Sequence, residues 1–338
     1  MSTTVISALR QAVTDEMRAD KRVFMMGEDI GIGGSFHLSL GLLEEFGAER
    51  IRDTPVSEAG FVGLAIGAAI GGMRPLVDFQ YGDFLLPAAD QIIQQAAKMY
   101  TMSGGSVGVP IVLHAPTGAS GRGAQHANSI ENVFAGIPGL IVAAPSTPYD
   151  AKGCMTTALR HDHPVLVVSH KYLYGTKGRA LVDGHDVVQE VPSEPYTVPI
   201  GQAAFRSRGK DITIVGSLLM SHRAQTAAAE LAKDGIEAEV IDMRWLAPLD
   251  IDSVLESVER TGRLLVVEEG AAHGGWGSAV IAGVAVKGLH LLDAPVGHLA
   301  GAAVPLPAAP HLEPEYVPTA ALIEAHARRL VVDGWSDV

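Results

Sequence analysis

The stretch that most limits what this chain can fold into is residues 53–72, DTPVSEAGFVGLAIGAAIGG. After a Thr-Pro pair, a serine and a carboxylate, it consists almost wholly of small and apolar residues, the pattern of a buried helix. Thr54 or Ser57 is suited to cap the first free N–H groups, and Pro55 suits a first helical turn. Gly60, Gly63, Gly67 and Gly71 recur at three- and four-residue steps, so one face lacks side chains and lets another backbone approach closely. Glu58 is the only carboxylate between Asp53 and Asp78. A helix N-terminus favours its anion, whereas apolar neighbours favour the neutral acid. A carboxyl group under such opposed influences suits proton transfer, although a carboxylate at a helix start is more commonly a cap, and a small-residue stripe more commonly tight packing.

With 338 residues the chain has room for two domains, at roughly 150 residues each. Apolar residues make up 47% and charged residues 19%, enough to fill two cores. A net charge of −13 and a pI near 5.4, without any Lys/Arg cluster, argue against a nucleic-acid surface. Cys154 is the single cysteine, which excludes a disulfide framework or a thiolate metal site. The N-terminal residues predict an amphipathic helix with Val5, Ile6, Leu9, Val13 and Met17 on one side, not a cleavable leader. The longest apolar run, residues 61–73, is too short and glycine-rich to span a bilayer. A soluble, cytoplasmic protein is expected.

Apolar runs and helical patterns then alternate. Residues 22–30 predict a buried strand entering a polar loop. Residues 31–34 (GIGG) predict a turn, because Phe36 stands where a dinucleotide fingerprint needs its third glycine. A short helix over 40–46 precedes the strand that starts at Ile51 and delivers Glu58. Further strands are expected at 74–80, 109–115, 140–144 and 165–168, with helices at 87–99 and 151–160. Polar, proline-containing residues 181–199 break the rhythm. Strands at 212–217, 237–242, 263–268 and 289–293 and helices at 221–234, 251–261 and 319–330 follow. The expected architecture is α/β, two doubly wound sheet domains. The first covers 1–182 and the second 200–338, joined by a linker at 183–199.

Two residues join Glu58 as candidates. Phe84, in QYGDF, follows a strand at its carboxyl end, where ligands of open parallel sheets lie, although an aromatic there also serves simply to cover the core. His126, in the glycine-rich GASGRGAQHANS, is of a type that moves protons near neutral pH, though many loop histidines do nothing. Ser57 and Ser120 lack a G-x-S-x-G elbow, so a serine hydrolase is not supported. His161 and His163, two apart and without a third ligand nearby, read as a solvated turn rather than a zinc site. His273, in the glycine-rich loop 269–277, is a weaker candidate, and His222 reads as part of a helix start.

GEDIG, DTPVSEAGFVGLAIGAAIGGMRP, FQYGDF, DQIIQQAAKM, SGG, VPIV, QH, PGL, PSTPYDAKG and RHDHPV occur in an order that resembles one family over nearly the whole chain, continuing through LAPLD, VVEEG and LDAPV. It is the beta subunit of the decarboxylating, thiamine-diphosphate-dependent component of 2-oxo acid dehydrogenase complexes, of pyruvate, branched-chain or acetoin type. The resemblance implies a transketolase-like pyrimidine-binding domain followed by a transketolase C-terminal domain. It implies an oxidoreductase subunit that decarboxylates a 2-oxo acid, pyruvate or branched-chain, and passes the acyl group to lipoamide.

By the same resemblance, Glu58 matches the glutamate that hydrogen-bonds the aminopyrimidine nitrogen of thiamine diphosphate, Phe84 the aromatic lining that ring, and Val56 the segment beside it. His126 matches the active-site histidine that assists proton transfer and reductive acylation, although Ala127-Asn128 stands where the family commonly has Ser-Gln. Backbone carbonyls of Ile111, Ala158, Leu159, His161 and His163 match a potassium site. The Gly-Asp-Gly…Asn motif for diphosphate and magnesium is absent from this sequence and, in relatives, belongs to an alpha subunit. The resemblance therefore implies a tetramer of two alpha and two beta subunits, a lipoyl-bearing dihydrolipoamide acyltransferase as further partner, and no nucleic-acid or membrane partner. Acetoin cleavage by a sibling complex and a non-catalytic scaffold subunit are the alternatives.

Overall fold

Strand β1 (Ser2–Thr4) opens the chain, and the Thr4 hydroxyl accepts the Ser7 N–H to cap helix α1 (Val5–Ala19). The computed structural model describes residues 2–175, 181–182, 185–309 and 311–334. Val5, Ile6, Leu9, Val13 and Met17 all fall on the buried side of α1, as their spacing predicts. β2 (Val23–Gly27), α2 (Leu42–Phe46), β3 (Ile51–Asp53), α3 (Glu58–Ile70) and β4 (Arg74–Asp78) follow. A 3₁₀ turn (Gly82–Leu85), a π-helical segment (Gln91–Ala96) and α4 (Ala97–Met102) lead to β5 (Val112–Thr117). α5 (Glu131–Phe134), β6 (Ile141–Ala143), α6 (Pro148–Arg160) and β7 (Val165–His170) complete the first unit.

β8 (Leu181–Val182) ends the expected first domain, and the interval 183–199 expected to be a linker contains β9 (His185–Asp186) and β10 (Val188–Glu190). β10 pairs antiparallel with β1, so this interval ties down the start of the chain as well as joining two units. The second unit runs β11 (Ala204–Ser207), β12 (Ile212–Gly216), α7 (Leu218–Ala232), β13 (Ala238–Asp242), β14 (Trp245–Ala247) and α8 (Ile251–Thr261). β15 (Leu264–Ala271), α9 (Trp276–Gly288), β16 (Gly297–Gly301) and α10 (Ala320–Val332) finish it. The strand expected at 289–293 is instead a 3₁₀ turn, Leu289–Leu291, and the edge strand is β16, whose GHLAG carries too few apolar side chains to signal itself.

The first sheet has the order β14-β6-β7-β5-β4-β2-β3, and the second β11-β13-β12-β15-β16. Every neighbouring pair is parallel except those made by β14 and β11. Alternate strand residues enter opposite cores. Met25, Leu76, Val112 and Val165 join α1 and α6 in one, whereas Met26, Val77, Leu113 and Leu166 join α3 in the other. Both faces are thus covered, which is why these strands read as continuous apolar runs. No helix among the described residues is long and apolar enough to cross a membrane.

Candidate active site

Parallel strands deliver their loops to one edge, and at the carboxyl edge of the first sheet four loops converge. Glu28 follows β2, the segment Thr54–Ser57 follows β3, Tyr81 and Phe84 follow β4, and the loop 118–129 with His126 follows β5. The 3₁₀ turn after Tyr81 brings Phe84 round to the histidine. Their rings stand edge-on with centroids 5.5 Å apart, and Tyr81 meets His126 at 4.7 Å. Asp83, on the same turn, accepts a hydrogen bond from Asn128 Nδ2, which links the β4 loop to the histidine loop.

Glu58 is the first residue of α3 and is half-buried. The expected capping is not made. Ser57 occupies the N-cap position without a side-chain cap bond, its Oγ lying against Gly60, and Thr54 Oγ1 is buried without a hydrogen-bond partner. The first N–H groups of α3 thus lack a side-chain cap at the same edge as Glu58. Glu28 lies across from it, and burial pushes the Glu28 carboxyl up, with the charges of Glu58 and Asp29 adding to the rise. Glu28 Oε1 is buried with no partner. The backbone around it is braced, because Gln80 donates to the Glu28 carbonyl and accepts the Ser35 N–H at 2.7 Å. Two carboxyl groups, one with an unpartnered buried oxygen, thus lie at the same sheet edge as the Tyr81, Phe84 and His126 rings, a set of groups suited to a flat heterocycle offering N–H groups.

Val56 is 80% exposed, and the outward side of α3 (Ala59, Gly60, Leu64, Gly67, Ile70) is exposed too. A Cβ at Gly67 would meet nothing within 4 Å. Such an apolar face, beginning at the site, leaves room for another chain.

The five carbonyls matched to potassium lie at the opposite, amino end of the sheet. Ile111 O accepts the Val165 N–H at 3.0 Å and Ala158 O the His161 N–H at 3.1 Å. Leu159 O accepts Arg74 Nε at 2.9 Å, His161 O accepts the same guanidinium, and Asp162 pairs with it at 2.9 Å. His163 N–H donates to His161 Nδ1 at 3.1 Å, and among the described residues no group of three or more His, Cys, Asp or Glu is placed to hold a metal.

His273 is exposed and lines a cleft of about 410 Å³ between the units, with Asn128, Asn132, Glu269 and Tyr316. His222 lies in the first turns of α7 and is 2.8 Å from the Ser146 carbonyl. Two groups near His126 gave no local signal in the sequence. Lys171 is buried with Nζ 5.7 Å from the Tyr81 ring centroid, and burial pulls its ammonium down to about 8. Glu131 is buried under the same loop, which pushes its carboxyl up to about 7.

Residues 2–177 match the family described as transketolase, pyrimidine binding domain, and residues 201–323 match transketolase, C-terminal domain. The chain is 42% identical over 328 residues to the 2-oxoisovalerate dehydrogenase subunit beta of Bacillus subtilis, covering 96% of this chain and 97% of that one. It is 43% identical to the acetoin:2,6-dichlorophenolindophenol oxidoreductase subunit beta of Cupriavidus necator, covering 97% of each. It is also 43% identical to the pyruvate dehydrogenase E1 component subunit beta of Rickettsia bellii, covering 94% of this chain and 95% of that one. Among solved structures, a split-gene transketolase described as an inactive beta4 tetramer shares the fold, with a TM-score of 0.77 at 22% identity over 98% of this chain and 99% of that one.

Proposed function

Because this chain belongs to the family of transketolase-like beta subunits of 2-oxo acid dehydrogenases, we propose that the edge holding Glu58, Phe84 and His126 is the pyrimidine half of a thiamine diphosphate site completed by an alpha subunit. The observation that carries this reading is the meeting, at one sheet edge, of a carboxylate at an uncapped helix start with the Tyr81–Phe84–His126 ring cluster. When bound, thiamine diphosphate supplies the carbon nucleophile and electron sink for decarboxylation.

This chain's residues do the rest. Glu58 is placed to share a proton with the aminopyrimidine nitrogen, and Glu28, whose carboxyl burial pushes up, lies beside it. Val56 and Phe84 bound the ring slot. His126, held edge-on by Tyr81 and Phe84, moves a proton as the acyl group passes to lipoamide. The diphosphate and magnesium fall to the alpha subunit, whose contact is the outward face of α3, in a tetramer of two alpha and two beta chains served by a lipoyl-bearing acyltransferase. Potassium at the turn 158–163 fits less well. Arg74 already sets a cation against the Leu159 and His161 carbonyls.

The substrate is a 2-oxo acid, pyruvate or branched-chain, with acetoin as the alternative that the similarity to an acetoin oxidoreductase keeps open. Reconstitution with the alpha subunit, followed by turnover of pyruvate, 3-methyl-2-oxobutanoate and acetoin with an artificial electron acceptor, separates these. Activity on acetoin alone overturns the 2-oxo acid reading. Assembled Glu58→Gln should lose at least about a hundredfold in decarboxylation, the usual weight of a positioned proton-transfer group. Wild-type turnover in that tetramer would leave a scaffold subunit as the surviving reading.

A further inference from the structure

The loop 118–129 has little regular structure to hold it. Gly118, Gly121 and Gly123 adopt φ of 87°, 70° and 74°, so its backbone N–H groups point away from any ladder and need outside acceptors. At its base the first unit supplies them. Gly118 N–H donates to Asn128 O at 3.2 Å, and Thr117 Oγ1 lies 3.0 Å from the same carbonyl and 2.7 Å from Glu131 Oε2.

At mid-span the acceptors come from the second unit. Ala119 N–H donates to Glu269 Oε1, and Gly121 N–H donates to Glu313 Oε2 at 2.6 Å. These carboxylates lie 150 and 192 residues further along the chain, one on β15 and the other in the 3₁₀ turn Glu313–Glu315. Each is aimed by a residue at or just beyond the end of β7. His170 Nε2 lies 2.8 Å from Glu269 Oε2, and Tyr172 OH donates to Glu313 Oε1 at 3.3 Å. A Cβ at Gly118 would stand 2.0 Å from His170 Nε2, so the loop backbone rests directly on that imidazole. Between His170 and Tyr172, buried Lys171 faces Asp83, Glu131, Glu269 and Glu313, and Nζ has no hydrogen-bond partner among the described residues. It balances the carboxylates without tying up their oxygens.

Charge-assisted bonds of this kind are about twice as strong as neutral ones, and beside the packing of Ala119 in the core they are the hydrogen bonds that hold residues 119–121 among the described residues. We propose that Glu269 and Glu313 are positioning residues, a clamp from the second unit that fixes the loop bearing His126 against Tyr81 and Phe84. The clamp deepens the function proposed above and rests on it for its catalytic consequence, but not for its existence.

The test uses the reconstituted tetramer with Glu313→Ala, which removes the acceptor, and Glu313→Gln, which keeps an acceptor oxygen without the charge. The same pair at Glu269 serves as a second instance. Amide hydrogen exchange over residues 118–128 should accelerate roughly tenfold or more in the alanine variants, the scale of one lost charge-assisted hydrogen bond, while exchange in β4 and β7 is unchanged. The kcat for lipoamide acylation should fall about tenfold, with the thiamine diphosphate Kd within about twofold, because a displaced histidine impairs the step and not the binding. Glutamine should restore most of both. Unchanged loop exchange, or acceleration spread evenly over the chain in both alanine and glutamine variants, overturns the clamp. If His126→Ala impairs acylation while Glu313→Ala leaves loop exchange alone, the clamp fails and the site assignment stands. If loop exchange rises but His126→Ala is silent, the clamp stands and the catalytic reading of His126 fails.

Discussion

Glu131 is fully enclosed beneath the histidine loop, and burial, with Glu269 and Glu268 nearby, lifts its carboxyl from an ordinary 4.5 to about 7 despite the Thr117 hydrogen bond. A group that binds its proton more tightly when folded contributes stability that is complete below about 4.5 and lost as pH rises through about 7. The loss across that window is about 3 kcal/mol. Glu131→Gln should flatten the pH dependence of unfolding free energy there, as a denaturant series at several pH values would show. An unaltered slope assigns the titration elsewhere. Glu269 moves the other way: burial opposes its charge, but the His170 imidazole and the Ala119 N–H outweigh that and hold its carboxyl low. Residues at this scale were unequally legible. Glu58, Phe84 and His126 each carry a local signal, namely a helix start, a strand end and a glycine-rich loop. Lys171 in SHKYLYG and Glu131 in SIENVF look like ordinary surface charges, because the groups that enclose them lie in remote parts of the chain.

At the scale of elements, α3 was legible as a helix, and the face that carries Gly60 and Gly67 is exposed at residues 59, 60, 64, 67 and 70. Gly67 lies on this face with open space where a Cβ would stand. Gly67→Ala therefore separates two effects. The isolated chain should gain about 0.5–1 kcal/mol from helix propensity and melt a few degrees higher. Association with the alpha subunit should weaken, because the added methyl holds the facing backbone off. Thermal melting of the chain alone, set beside sedimentation of the mixture, gives the two signs, and a gain in both would remove α3 from the contact. Helix α8 shows when an element is easily read: the expected bounds, 251–261, are those observed, set by the Asp250 cap at one end and left-handed Gly262 at the other. β16 shows the opposite, an edge strand with Leu299 among glycine, histidine and alanine, whose pairing with β15 comes from tertiary context rather than periodicity.

Over the whole molecule, the sequence suggested two successive sheets but not that the second unit would complete the first. β14 has three residues, too few for any pattern, yet it adds to the edge of β6 with Trp245 opposite Ala143 and fully buried. Beside this joint Asp150, in the first turn of α6, meets Arg244 Nη1 at 3.0 Å and also Arg206, which pairs with Asp242 at 2.6 Å. Burial would raise the Asp150 carboxyl, but the two guanidinium groups outweigh it and hold it low. That contribution is present above the ordinary carboxylate value of 3.8 and is lost as pH falls below it. A buried acid shared by two arginines of the other unit makes each unit depend on the other for charge balance, so the chain should unfold in one transition. Asp150→Asn strips Arg244 of its carboxylate and leaves Arg206 with Asp242 alone, and should cost about 3 kcal/mol or more. The tryptophans Trp245, Trp276 and Trp335 all follow the linker, and Trp245 sits at the joint on β14, so fluorescence reports on the second unit and the joint while far-UV circular dichroism reports on both units. In denaturant the two signals should coincide in the parent chain and shift together to lower concentration in Asp150→Asn. Two separated transitions in the parent chain would show that the strand and the charge cluster do not join the units into one cooperative body.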